Sequence, residues 1–373
     1  MTAGTCRTLS VEVCADAQAF GELAGEWERL YRACRSATPF QSHTWLHSWW
    51  LSYGTPGALR VVLVRRSGGE LVAAAPLMRV HRPLPVLVPV GGAISDFCDV
   101  LLDEAVADLA VPALADALAG LARTALIDFR EVRPGSAVER VFHSWQGPRH
   151  RVPDSLCLEL PAVPMDELVG RLSSKRAQRV RNRMNKLARI GVRWRTVGAE
   201  ETGAALGRLI ELHRLQWEGR KVTPEHLRPR FLDHLVRSVV PMARRGEAVV
   251  KEYLLEDEVV AVDLTFQSRQ LAGKYLYGVH PRLRERKVDV TTMMLTAAVE
   301  ELPAQGPAVL SLLRGAEPYK YQWRPRGVVN QRLLLARRRT APLLAAVACE
   351  AAARARAKRV LRRAPADPRP VTS

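Results

Sequence analysis

Three segments of nine or ten residues, EAVVKEYLLE, VVAVDLTFQ and LAGKYLYGV, follow one another with only short turns at Asp257 and at 268–270 between them. Such runs, rich in β-branched and aromatic residues and broken by turn residues, form an antiparallel meander. Two helical patterns precede it, at 202–217 and 229–243. A helix at 291–302, the strand AVLSLLR and a last strand VVNQRLLLAR follow it. The order is helix, helix, three strands, helix, strand, helix-like turn, strand. It predicts an α/β (α+β) unit, with a mixed, mostly antiparallel sheet flanked by helices.

The same order occurs earlier in outline, less regularly. Residues 18–33 are helical in pattern, and 39–54 read as a loop running into an aromatic helix. ALRVVLVRR and ELVAAAPLMRV form a hairpin about Ser67, Gly68 and Gly69. LPVLVPVGG and DVLLD supply strands, 105–123 an Ala/Leu-rich helix, and ALIDFREV a further strand. A chain of 373 residues is long enough for two such cores. The stretch between Pro161 and Pro164 marks the boundary, giving units at 1–165 and 166–336 and a basic tail at 337–373.

The net charge of +18 is concentrated. Residues 171–189 hold eight Lys/Arg and no acid, and 337–369 hold ten against two acids. The rest is close to neutral, so the chain is a neutral body with two basic segments rather than a uniform nucleic-acid coat. The first basic segment reads as one helix over 166–190, closed by Gly191. Its Ser173, Ala177, Val180, Met184 and Leu187 form one narrow packing stripe. An anionic membrane surface or tRNA is the partner expected for 171–189 and 340–363, and DNA is not expected. The plain alternatives are a solvated helix face and a frayed terminus. The six cysteines never form Cys-x-x-Cys and the histidines show no ligand spacing, so no metal is expected. With no signal peptide or spanning segment of roughly 20 apolar residues, the expected location is the cytoplasm or the inner face of its membrane.

Several residues carry possible chemistry. Asp96, shortly after Gly91 and Gly92, can orient or deprotonate an acceptor; the alternative is a turn aspartate. His213 and Trp217 lie four apart on one helix face and can line a substrate pocket with Arg220; the alternative is a core stripe. Tyr275 and Tyr277 alternate on a strand and are expected on one face, opposite Lys274 and Leu276. The strand LSLLR runs into GAEPYKYQW, a strand-end cluster. There Glu317 can act as a base, Tyr319 as an acid, and Arg314 and Lys320 as anion contacts. A salt-bridged turn is the alternative.

These segments together resemble a known family. TPFQSHTWLHSWW, ELVAAAPLM, GGAISDFCDV, SSKRAQRVRNRMNKL, LHRLQWEGR, VVAVDLTF, KYLYGVHP and LLRGAEPYKYQW occur in order over about residues 36–336. They resemble the CelD-like, cellulose-biosynthesis-type acetyltransferases of the GNAT superfamily, relatives of the twin-domain FemABX transferases. The resemblance implies two tandem GNAT-like domains and direct transfer of an acyl group from acetyl-CoA or another acyl-CoA. The acceptor is an amine or hydroxyl on a small molecule or saccharide. It implies Tyr277 as a proton donor beside the thioester, with backbone N–H groups near it holding the oxyanion. The donor would contact Tyr275, Val279, Arg284, Arg286, Lys287, Val290 and Thr291. One departure stands out. The family's Ser-Pro-Gly before the donor-binding helix is Val288-Asp289-Val290 here. Asp289 is expected to cap that helix and so to repel a diphosphate, while nearby arginines compensate. The alternatives are an aminoacyl-tRNA donor, or a non-enzymatic scaffold at a membrane or polysaccharide-synthesis complex. The first unit has no phosphate loop and is expected to be structural or acceptor-binding.

Overall fold

A computed structural model of the chain describes residues 9–81, 84–216, 223–300 and 307–363. The first half holds β1 (Leu9–Cys14), α1 (Ala17–Glu22), α2 (Ala24–Ala33), α3 (His43–Tyr53), β2 (Leu59–Arg66), β3 (Leu71–His81), β4 (Pro85–Pro89), β5 (Leu101–Leu102), α4 (Ala107–Leu121), β6 (Leu126–Val132), α5 (Ala137–Ser144) and β7 (Arg149–Pro161). Then come α6 (Met165–Gly170), α7 (Ser174–Ile190), β8 (Arg193–Thr196), α8 (Thr202–Gln216), α9 (Pro229–Arg244), β9 (Ala248–Leu255), β10 (Glu258–Gln267), β11 (Ala272–Val279), α10 (Pro281–Glu285), α11 (Val290–Glu300), β12 (Val309–Arg314), β13 (Arg326–Leu335) and α12 (Ala341–Arg363).

Among the described residues the strands make one sheet, in the order β1-β2-β3-β4-β6-β13-β7-β12-β11-β10-β9-β8, with β5 added to β3. This order reads the same from either end once corresponding strands are matched. β1 answers to β8, β2 to β9, β3 to β10, β4 to β11, β6 to β12 and β7 to β13. The two central strands are exchanged: β13 pairs with β6 of the first half, and β7 pairs with β12 of the second. They also pair antiparallel with each other over most of their length. The fold is thus two copies of one α/β unit joined edge to edge.

Helices cover both faces. The largest core joins α2, α3 and α4 to α8 and α9, with Phe20, Trp45, Phe97, Leu206, Phe231 and Phe266 buried together. On the other face α6, α7 and α11 pack over β7, β12 and β11. The expected single basic helix is broken, because turning the chain after Gly170 lets Leu168, Val169 and Leu172 enter this core beside Ala177 and Val180. The apolar opening of the tail is packed as well: Leu343, Leu344 and Val347 lie against Leu126, Leu334 and Ala336. No described helix is long and apolar enough to cross a membrane.

α3 and α9 meet across the halves at His234, which is fully buried. Its Nδ1 meets Ser48 Oγ at 3.1 Å, its carbonyl accepts from the same hydroxyl, and its ring lies edge-on to Trp45. Burial, reinforced by Arg237, pushes its pKa down to about 3. The folded value is below the unfolded one, so the unfolded chain binds the extra proton between about pH 6.5 and 3. Stability is therefore lost as pH falls through that window, by about 2 kcal/mol at pH 5. Urea midpoints at pH 7 and pH 5 should show a shallower acid loss in His234→Asn. Equal losses in both proteins would mean that His234 is already protonated in the fold.

Candidate active site

Both halves contain one parallel strand pair in an otherwise antiparallel neighbourhood, and each pair holds over only two residues. β4 meets β6 at Val86–Leu126 and Leu87–Ile127; β11 meets β12 at Ala272–Leu310 and Gly273–Ser311. Beyond those points the strands diverge, leaving a split with unpaired strand edges inside the sheet.

In the first half the chain itself occupies the space at the end of β6. Cys98 N–H bonds to the Glu131 carbonyl at 3.1 Å, and Gln41 holds the Phe97 carbonyl at 2.9 Å. Buried Asp99 accepts the first N–H groups of α5, from Ala137 and Val138. Burial, offset in part by those hydrogen bonds, raises the Asp99 pKa to about 6.

In the second half a cavity of about 580 Å³ lies at the C-terminal end of β11. Tyr277, Val279, Arg284, Lys287 and Val290 line it, together with Arg183 from the basic helix and Asp289. Asp289 caps α11 as expected: one carboxylate oxygen accepts Thr292 N–H at 2.8 Å and the other pairs with Arg183 at 3.2 Å. Arg183 also donates to Gln322, and Lys186 donates to the Lys287 carbonyl, so α7 is tied to the cavity's rim. Sequence spacing gave no signal for Arg183, because only the packing of α7 on α11 brings it there.

Three expected donor contacts lie elsewhere. Arg286 turns to Glu256 at 2.7 Å, where Arg282 also pairs. Thr291 is in the first turn of α11 but off the cavity wall. Tyr275 is in the largest core, ringed by Phe40, Trp45 and Phe266, with its hydroxyl on the Ile94 carbonyl at 2.9 Å. The cause is a β-bulge. Leu276 pairs with Leu264 but Lys274 pairs with Thr265, so Tyr275 is the extra residue. Tyr275 and Tyr277 therefore point to opposite faces, and Tyr277 packs on the α7–α11 side.

Tyr277 meets the strand-end cluster there. Tyr319 lies beside Tyr277, and burial, with Tyr277 and the Glu317 carboxylate near it, holds its pKa well above the usual tyrosine value. Glu317 pairs with Lys320 at 2.8 Å. Lys320 is buried and donates to the Arg314 carbonyl, which ties the turn to the strand end. Asp96 and Arg314, 218 residues apart, do come together, at 2.6 Å. Arg314 also reaches Glu131 at 3.3 Å and the Ala93 carbonyl at 2.7 Å. Asp96 is thus held in a part-buried ion pair, and Arg314 pairs with two carboxylates. His213 is likewise structural. Its Nδ1–H donates to the Tyr277 carbonyl at 2.8 Å, its Nε2 meets His226 Nδ1 at 3.4 Å, and burial lowers its pKa. Gly278 permits this contact, since a β-carbon there would overlap the backbone of Leu209 and His213. Trp217 and Arg220 lie outside the described residues.

The mixed sheet is thus split at a parallel pair, with a helix N-terminus and a cationic cavity at the mouth of the split. Residues 174–321 match the family model for an acetyltransferase (GNAT) domain. Over most of its length the chain is similar in fold to solved structures. FemX matches at 11% identity and TM-score 0.59, covering 87% of this chain and 96% of that one. L-PGS from Bacillus licheniformis matches at 14% and 0.54, covering 88% and 95%. A conserved protein of unknown function from Bacteroides thetaiotaomicron matches at 9% and 0.58, covering 88% and 100%. No curated protein matches the sequence.

Proposed function

We propose that this protein transfers an acyl group from an acyl-CoA thioester to an amine or hydroxyl by direct attack. The observation that carries this reading is the open split between β11 and β12 with the cavity at its mouth. The thioester would lie along the strand edge beyond Gly273, where backbone N–H groups of β11 can hold the oxyanion. The phosphates would face Arg183, Arg284 and Lys287 at the rim. The acceptor amine attacks the carbonyl and gives its proton to Glu317. The C–S bond then breaks, and the thiolate takes a proton from Tyr277. Tyr319, kept protonated by its raised pKa, lies beside Tyr277 and can donate to the resulting tyrosinate.

Asp289 opposes a phosphate at this mouth. Asparagine caps a helix as well as aspartate does. Asp289→Asn should therefore keep α11 intact, release Arg183 and remove one negative charge. Acetyl-CoA affinity is expected to rise about fivefold, or about 1 kcal/mol, at moderate salt. Calorimetric titration of both proteins checks this, and unchanged or weaker binding would sink the placement of the phosphates.

The same aspartate favours a second reading, with aminoacyl-tRNA as donor. Asp289 already caps the α11 terminus, and Arg183 pairs with its free carboxylate oxygen. Along α7, whose Arg183 lines the cavity, Lys175, Arg176, Arg179 and Arg181 are exposed. That surface suits a long polyanion. Binding of charged tRNA at moderate salt, with acetyl-CoA binding only at low salt, would decide for this donor.

A further inference from the structure

At the paired end of the β11–β12 split, Leu313 packs beside Gly273. β12 kinks at Leu313, whose φ of +54° lies in the left-handed region that leucine disfavours. Ser311 Oγ accepts the Leu313 N–H at 3.2 Å and supports the kink. The kink swings the leucine across to β11. Its Cδ2 and Cγ lie 3.0 and 3.5 Å from where a β-carbon on Gly273 would sit, so the missing side chain at Gly273 makes room for it. Leu313 is 3% exposed and packs in the same core as Leu271 and Leu276.

β6, the counterpart of β12, has the same kink at its penultimate residue, Glu131, with φ also +54°. There the side chain is a carboxylate that reaches Arg314. The kink therefore belongs to the shared architecture and does not require leucine. In the second half the kinked residue is aliphatic instead and packs beside Gly273, at the paired end of the split.

We infer that Leu313 sets the length of acyl group the protein accepts, limiting it to about acetyl size. This rests on the thioester reading given above. The test titrates the full chain at moderate salt with coenzyme A and its acetyl, butanoyl and octanoyl thioesters. The wild type should bind the acetyl thioester about tenfold or more tighter than the octanoyl one. In Leu313→Gly that ratio should fall by about tenfold. Glycine also suits the left-handed backbone. Leu313→Ala provides the same readout if the glycine variant unfolds. Equal binding of all chain lengths by the wild type overturns the inference and leaves the donor reading standing. No saturable binding of coenzyme A or any thioester overturns both.

Discussion

Arg314→Gln is expected to destabilise the fold by about 3–5 kcal/mol, the usual cost of leaving buried charges without their partner. Asp96 and Glu131 are both more than nine-tenths buried, and they approach the guanidinium from different segments of the first half. The second Glu131 oxygen is already taken by Asn330 at 3.0 Å and by Ser155. Burial works against the Arg314 charge, yet the Asp96 and Glu131 carboxylates hold its pKa above the ordinary value. The charge is thus a settled part of the fold. Urea unfolding measures the effect, and Asp96→Asn combined with Arg314→Gln should recover a large part of the loss. A loss below about 1 kcal/mol would mean the pair behaves like an exposed one.

The ion pair also shows what sequence could and could not reveal. Asp96 and Arg314 were each visible as polar residues at strand or loop ends, because turn glycines and the strand LSLLR frame them. That they neutralise one another depends on two units meeting edge to edge, which no local pattern encodes. The meander 248–279 was legible for the opposite reason: its pairing is between neighbours in sequence, joined by tight turns. The cap at Asp289 was legible too, since capping acts over three residues. β7 was not. Its sequence RHRVPDSLCLELP carries Pro153 and Asp154, which normally argue against a strand. Here Asp154 receives Arg130 and the Glu131 N–H. β7 then sits at the sheet's centre, because the exchange with β13 supplies both its neighbours.

The bulge at Tyr275 is the other feature hidden from periodicity, and it separates the two tyrosines' roles. A strict period of two puts both on one face. One extra residue sends Tyr275 into the core as a structural ring and leaves Tyr277 beside the cavity. The consequence for mutation is sharp. Tyr277→Phe should keep the ring's packing against the α7–α11 side but remove the proton donor for the leaving thiolate. Removal of a positioned acid typically costs 10²- to 10⁴-fold, so a loss in kcat of about a hundredfold is expected, with little change in acetyl-CoA affinity. Tyr319→Phe should lose less, because it removes only a hydroxyl beside Tyr277 and leaves the proton donor in place. The sign of the pH effect follows from the raised Tyr319 pKa. That hydroxyl stays protonated through the alkaline range, so it should contribute no alkaline fall in kcat below pH 10. Thiol release from acetyl-CoA across a panel of primary amines provides the assay. If Tyr277→Phe retains wild-type kcat with an amine that the wild type acetylates, the proton must reach the sulfur by another route, and Tyr277 is a wall of the cavity rather than its acid.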